Sequence, residues 1–324
     1  MKAILLARHG GPEVLELKDV ARPTPGPGEV LVELEAIGVN FIDIYRREGA
    51  YSVALPHIPG TEAAGTVVML GDGVTQLELG QRVAGAAFRD AYADYAAAPA
   101  AQLAAVPEGV TSEQAAALML QGMTAHYLAY SLYPLAAGDT CLIHAAAGGV
   151  GLLLVQLARR LGARVIGTVS TAGKEQRARA AGADAVIRYT DTDFEAAVHE
   201  LTGGLGVQVV YDSVGKTTFD KSLNCLAPRA MMALFGQSSG AVPPFDLQTL
   251  NARGSLFVTR PTLLHYTRTR GELEKRAGDI FAAVASGDLS VQIDSSLPLA
   301  EAAEAQRRLE SRETSGKVLL IPGR

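Results

Sequence analysis

The sequence predicts an α/β chain of two domains, a barrel-like β domain and a doubly wound parallel sheet. Three observations predict it. Short strands separated by glycine and proline turns fill the N-terminal third. From Thr140 onward, strand and helix patterns alternate, as parallel strands joined by crossover helices require. Residues 140–168 read as strand, glycine turn, helix and strand, about the length of one right-handed crossover unit.

Composition narrows the class. The chain has 324 residues, enough for two sizeable cores. Its net charge of −5 offers no strong field for nucleic acid or an anionic membrane. Cys141 and Cys225 stand far apart and form neither a metal spacing nor a disulfide framework, which fits a reducing cytoplasm. Cys141 lies in an apolar strand and reads as core. The start, MKAILLARHGG, lacks the apolar stretch and cleavage pattern of a signal peptide, and no apolar run has the length of a membrane span.

The elements follow in order. Residues 2–7 and 14–20 read as strands joined by His9-Gly10-Gly11-Pro12, and prolines 23, 25 and 27 make an extended connection. Residues 30–36, VLVELEA, alternate apolar and acidic, a half-buried strand. Asn40 to Glu48 reads as a short helix capped by Asn40. Residues 63–70, 81–86 and 91–98 add strands. Thr111 with Gln114 forms a capping box for a helix reaching Tyr130, where the domains join. Strands are expected near 141–145, 164–168, 185–188, 207–212, 230–235 and 255–259, and helices near 150–161, 173–181, 193–202 and 217–226. A helix over 272–286, a polar strand near 289–294, a charged helix from Ala300 to Arg312 and an apolar strand from Val318 to Ile321 complete the chain.

The chemistry lies in the turn Ala146-Ala147-Gly148-Gly149-Val150-Gly151. Glycines let a pyrophosphate approach the backbone, and the following helix presents its first N–H groups and the positive end of its dipole. The match to G-x-G-x-x-G is imperfect, since Ala146 replaces the first glycine, but strand, helix and strand supply the context. An NAD site usually places Asp or Glu about 20 residues past the glycines. Here Thr168 to Lys174, TVSTAGK, holds no carboxylate. It offers hydroxyls and an ammonium, which suit a 2′-phosphate, so NADPH is the expected cofactor. His144, on an apolar strand, reads as a satisfied core histidine rather than a general base.

A set of motifs then carries a family likeness: HGGPEVL at 9–15, IGVNFIDIYRREGAY at 37–51, GTEAAG at 60–65, HAAAGGVG at 144–151, VVYDSVG at 209–215, FGQSSG at 235–240 and VTRPTL at 258–263. With these the chain resembles the zinc-free quinone oxidoreductases of the medium-chain dehydrogenase/reductase superfamily. The resemblance implies a GroES-like β-barrel catalytic domain, 1–122 with 288–324, and a Rossmann NADPH-binding domain, 123–287. It also implies a homodimer, joined through the strand near 255–259. Zinc-dependent relatives carry Cys where this chain has Asn40, His where it has Thr61, and a four-cysteine lobe absent here. Zinc needs several N or S ligands in suitable geometry, so no metal is expected.

The resemblance also implies the site. Asn40 and Tyr45 would face the nicotinamide and ribose in the cleft between the domains, and Tyr51 would wall the substrate pocket. Thr124 would contact the nicotinamide side. Gly148, Gly149 and Val150 would hold the pyrophosphate through backbone N–H groups. Ser170, Lys174 and Tyr189 would surround the 2′-phosphate. Ser213, Phe235, Ser238 and Arg260 would complete the cofactor site. The function implied is reduction of a quinone by NADPH without a metal, by hydride or one-electron transfer. Two alternatives stand beside it: reduction of the activated double bond of an enone or enal, and a nucleotide-binding crystallin or RNA-binding protein. Against the last, the chain is acidic and lacks a basic cluster with interleaved aromatics.

Overall fold

A computed structural model describes residues 1–323. The chain divides into two compact units, Met1–Met123 together with the chain from Thr267 onward, and Thr124–Tyr266.

The first unit opens with β1 (Lys2–Leu6) and β2 (Leu15–Asp19), an antiparallel pair. Next comes β3 (Glu29–Gly38), whose exposed Glu33 and Glu35 alternate with buried Leu34 and Ala36, as the pattern predicts. After β3 come α1 (Phe41–Glu48), β4 (Glu62–Leu70), β5 (Arg82–Gly85), β6 (Tyr95–Pro99), β7 (Ala104–Ala105) and α2 (Ser112–Leu118). β3 organises the sheet. One of its edges pairs with β4; the other pairs with β6 along Glu29–Glu33 and with the C-terminal strand at Ile37 and Gly38. Ile4, Val30, Val32, Leu34, Phe88 and Leu320 lie in this unit's core. The expected strand at 91–98 starts four residues later, at Tyr95, because Tyr92 and Ala93 turn to Pro59 and Ala3 instead.

The long helix expected from Thr111 is broken. Thr111 and Gln114 form the capping box, but α2 ends at Leu118 and α3 (Gln121–Tyr127) starts afresh, followed by a π turn at Leu128–Leu132. At the break, the Leu120 N–H donates to Glu62 Oε1. A side-chain carboxylate has taken a backbone donor, and sequence periodicity does not register that capture.

The second unit alternates strand and helix: β8 (Thr140–Ile143), α4 (Gly149–Arg160), β9 (Arg164–Val169), α5 (Ala172–Ala180), β10 (Ala185–Arg188), α6 (Phe194–Leu201), β11 (Val207–Asp212), α7 (Phe219–Asn224), β12 (Leu226–Leu234), α8 (Gln248–Ala252) and β13 (Phe257–Thr259). All six strands are parallel, in the order β10-β9-β8-β11-β12-β13. This is the doubly wound dinucleotide-binding order, with its switch point between β8 and β11. Leu142, Ile166, Val210, Met232, Phe194 and Leu223 fill its core. β12 starts earlier than the expected 230, with a left-handed residue at Arg229 whose N–H bonds Gly254.

The chain then returns through α9 (Arg270–Ala285), β14 (Ile293–Pro298), α10 (Ala302–Glu310) and β15 (Lys317–Ile321). The α9 helix groups with the first unit rather than with the nucleotide domain: its Ile280 lies where a side chain at Gly122 would project, and Arg270 Nη1 donates to the Ala100 carbonyl. The polar strand expected at 289–294 instead starts at Ile293, because Leu289 is buried and bonds back to Ala283 at the end of α9. No helix among the described residues is long and apolar enough to cross a membrane.

Candidate functional site

In the second unit the expected residues gather along one edge. Ser170 follows the carboxyl end of β9, Tyr189 that of β10, Ser213 that of β11, Phe235 that of β12 and Arg260 that of β13. In such a sheet, ligands bind outside the carboxyl ends of the strands. The loops there are tied together. Ser238 and Ser239 donate N–H groups to Ser213 and Val214, Tyr189 donates to Val169, and Thr190 Oγ1 donates to the Ser170 carbonyl. Arg260 is exposed, and its Nη1 donates to the Leu234 carbonyl at the end of β12 at 3.2 Å.

The glycine turn sits at the switch point. Ala145 adopts a left-handed φ of 51°, and its carbonyl accepts the Gly148 N–H at 2.8 Å. The first intrahelical bond of α4 runs from Leu152 to Gly148, so the N–H groups of Gly149, Val150 and Gly151 precede it and have no acceptor within the helix. Gly148, Gly149 and Val150 are half-buried. This is a backbone anion cradle at a helix N-terminus. The absent first glycine costs nothing here: Ala146 is buried, and it is Gly167 of β9 that makes room for its methyl group.

Beneath the turn lies a buried relay across three strand ends. His144 Nδ1 is 2.9 Å from Thr168 Oγ1, and Nε2 is 2.9 Å from Ser222 Oγ. Ser222 gives its proton to Asp212 Oδ2, so its oxygen accepts from Nε2–H, and Nδ1 accepts from Thr168. Asp212 also accepts from Thr218 Oγ1 and from the N–H groups of Val214 and Gly215. Burial pushes His144 below the usual imidazole range, with Asp212 opposing the shift. The expected satisfied core histidine is thus observed. Both thiols are buried, and burial raises them away from reactivity.

The third expected group lies around α5. Thr171 caps it, accepting the Lys174 N–H at 3.3 Å. Lys174 therefore occupies the first turn, at the positive end of the dipole, where a cation is disfavoured unless an anion binds nearby.

In the first unit, Tyr45 on α1 and Tyr51 just past it face each other, ring centroids 5.4 Å apart, with Phe41 6.2 Å from Tyr45. The Tyr51 N–H bonds the Tyr45 carbonyl, and Tyr51 is 36% exposed. Asn40 heads the helix, and its N–H bonds Asp43 Oδ2. Its side chain, however, is committed inside the unit: Nδ2 donates to Gly38 and to Glu62 Oε2, and Oδ1 accepts from Lys317 Nζ. Thr124, on α3, is buried.

Asp43 was not anticipated. It is fully buried in the first turn of α1, and Oδ2 also accepts from Tyr92 Oη at 3.1 Å while Oδ1 has no partner. Burial pushes its carboxyl up to about 6. Because the folded value lies above the ordinary 3.8, ionisation penalises the fold progressively from pH 3.8 to 6 and fully above. Asp43→Asn should therefore raise stability at pH 8 by about 2 kcal/mol more than at pH 4, read by urea denaturation at both values. An equal effect at both would show that Asp43 ionises without penalty.

Residues 26–129 match the alcohol dehydrogenase GroES-like domain, and residues 149–279 match the zinc-binding dehydrogenase domain. The chain is 45% identical over 323 residues to a quinone oxidoreductase of Pseudomonas aeruginosa, covering 99% of each. It is 43% identical over 328 residues to a 2-haloacrylate reductase of a Burkholderia species, covering 99% of this chain and 98% of that one. Among solved structures, an Escherichia coli quinone oxidoreductase complexed with NADPH superimposes with a TM-score of 0.97 at 45% identity, covering 99% of this chain and all of that one.

Proposed function

Because the chain belongs to the quinone oxidoreductases of the medium-chain dehydrogenase/reductase superfamily, we propose that it reduces quinones with NADPH. The observation that carries this reading is the anion cradle at the switch point, with a carboxylate-free second strand end beside it.

The cradle fits the cofactor. Gly148, Gly149 and Val150 would take the pyrophosphate on backbone N–H groups, with Ser213, Phe235, Ser238 and Arg260 along the same sheet edge. Ser170, Lys174 and Tyr189 would receive the 2′-phosphate, and Thr124 the nicotinamide side. Bound there, NADPH supplies the reducing equivalents. Tyr45 and Tyr51 orient the acceptor, and the exposed Tyr51 phenol delivers a proton from Oη. Asn40 serves from behind, by fixing the start of α1. Quinones are electron-poor, so their reduction places no demand on a metal.

A steady-state panel of quinones and enones, followed by NADPH consumption, tests the assignment. Quinones should turn over with the higher kcat/KM; activity confined to enones would defeat it. The 2-haloacrylate reductase relative favours the second reading, since its named substrate carries an activated carbon–carbon double bond.

We also infer a cytoplasmic enzyme that works as a homodimer. β13 is one of the two edge strands of its sheet, and Phe257 on it is 59% exposed. An unpaired edge strand is a template for another chain. Phe257→Asp should shift the protein from dimer to monomer in sedimentation velocity; a monomeric wild-type protein would remove this interface.

A further inference from the structure

One buried ionic cluster lies outside every role assigned above. Glu62 at the head of β4 and Lys317 at the head of β15 are both wholly buried, 255 residues apart in sequence, with Lys317 Nζ 2.5 Å from Glu62 Oε2. Asn40 closes a triangle with them: its Nδ2 lies 2.8 Å from Glu62 Oε2 and its Oδ1 2.7 Å from Lys317 Nζ. The other carboxylate oxygen of Glu62 holds the Leu120 N–H, at the break between α2 and α3. The backbone leaves space for the pair, since a Cβ at Gly38 would lie 2.2 Å from Glu62 Oε2 and 2.9 Å from Lys317 Cε.

A buried ion pair is weak support for stability, because desolvation consumes most of its attraction. What this pair does supply is direction. With an anion at one end and a cation at the other, the Asn40 amide has a single orientation. Its backbone is simultaneously tied to Asp43 in the first turn of α1, and Tyr45 follows two residues later on the same helix.

We propose that Glu62 and Lys317 are positioning residues for acceptor reduction, holding the Asn40 amide and thereby the start of the helix that carries Tyr45. The proposal rests on the reading of Tyr45 as an acceptor-orienting side chain.

The test uses the full-length protein and the double variant Glu62→Gln/Lys317→Met, which removes both charges at similar volume. Four quantities are compared with wild type: the thermal midpoint, NADPH affinity by fluorescence, kcat for a quinone, and amide hydrogen exchange of residues 40–48 and 119–121 without cofactor. Stability and NADPH affinity should stay near wild type, while kcat falls about tenfold or more and exchange in both segments quickens. A double variant with wild-type kcat, or with unchanged exchange in both segments, overturns the proposal. Should that variant not fold, Glu62→Asp keeps both charges and shortens the reach; it should show the same fall in kcat and the same faster exchange, and wild-type values for it overturn the proposal equally. Tyr45→Phe is assayed in parallel. If it retains full quinone turnover, the reading of Tyr45 fails by itself, whatever the double variant shows, and the proposal loses its route to the acceptor.

Discussion

Gly151→Ala is expected to weaken NADPH binding severely, while Gly148→Ala leaves it far less changed. A Cβ at Gly151 would lie 2.3 Å from the Ala145 carbonyl oxygen and 2.9 Å from the carbonyl carbon and Cα of Ala146. All three are backbone atoms of the turn itself, so no side-chain rotation relieves the clash. The start of α4 must move off the strand, and the N–H groups of the cradle move with it. Overpacking of this kind costs about 1–3 kcal/mol in stability. Displacement of the donors from the pyrophosphate should cost about 100-fold or more in affinity, since about 1.4 kcal/mol corresponds to each tenfold step. At Gly148 the nearest atom would be 3.1 Å away and the backbone is extended, so a shift of a few tenths of an ångström suffices. Fluorescence titration with NADPH, paired with thermal denaturation, reads both effects. Equal affinities for the two variants would show that the cofactor does not use this turn.

The second large effect is expected at Lys174. Lys174→Ala should weaken NADPH by about 10- to 100-fold, because one charge-assisted hydrogen bond contributes about 1.5–3 kcal/mol. NADH affinity should change by about twofold at most, since only NADPH carries the 2′-phosphate that an ammonium would meet. The end of β9 offers no carboxylate to a ribose 2′-hydroxyl, and Lys174 stands in the first turn of α5, against the helix dipole. The same interaction should weaken with added salt in the wild-type protein and do so less in the variant. Calorimetric titration of both cofactors decides the matter: an equal loss for NADPH and NADH would remove Lys174 from the phosphate site.

Much of the second unit was legible in the chain because its signals are local. Each strand is a short apolar run, each helix follows within a few residues, and the glycines mark the one turn that must approach a ligand. Strands made parallel by their crossover helices bring their carboxyl ends to one edge, and that edge carries Ser170, Tyr189, Ser213, Phe235 and Arg260. Asn40 was legible only in part. Its place at the head of a helix and its amide's bond to Gly38 are local, but the amide's two charged partners are 22 and 277 residues away.

The buried polar groups were not legible for the same reason. In GTE at 60–62 the motif marks the missing histidine and says nothing of where the glutamate lies. Lys317, just before VLLI, has the look of a solvated strand end, yet it is fully buried. Asp43 reads as an ordinary first-turn acid until Tyr92 is seen above it. The helix break at Leu120 depends on a carboxylate 58 residues earlier.

What the sequence alone determined, then, is what periodicity and turn chemistry encode: the class of fold, the glycine cradle and the absence of an acid at the end of β9. Which charges are buried, and against what, is fixed only when the chain folds. Burial and pairing are properties of segments brought together across hundreds of residues, and the desolvation that gives Glu62, Lys317, Asp43 and His144 their character exists only once the core has closed around them.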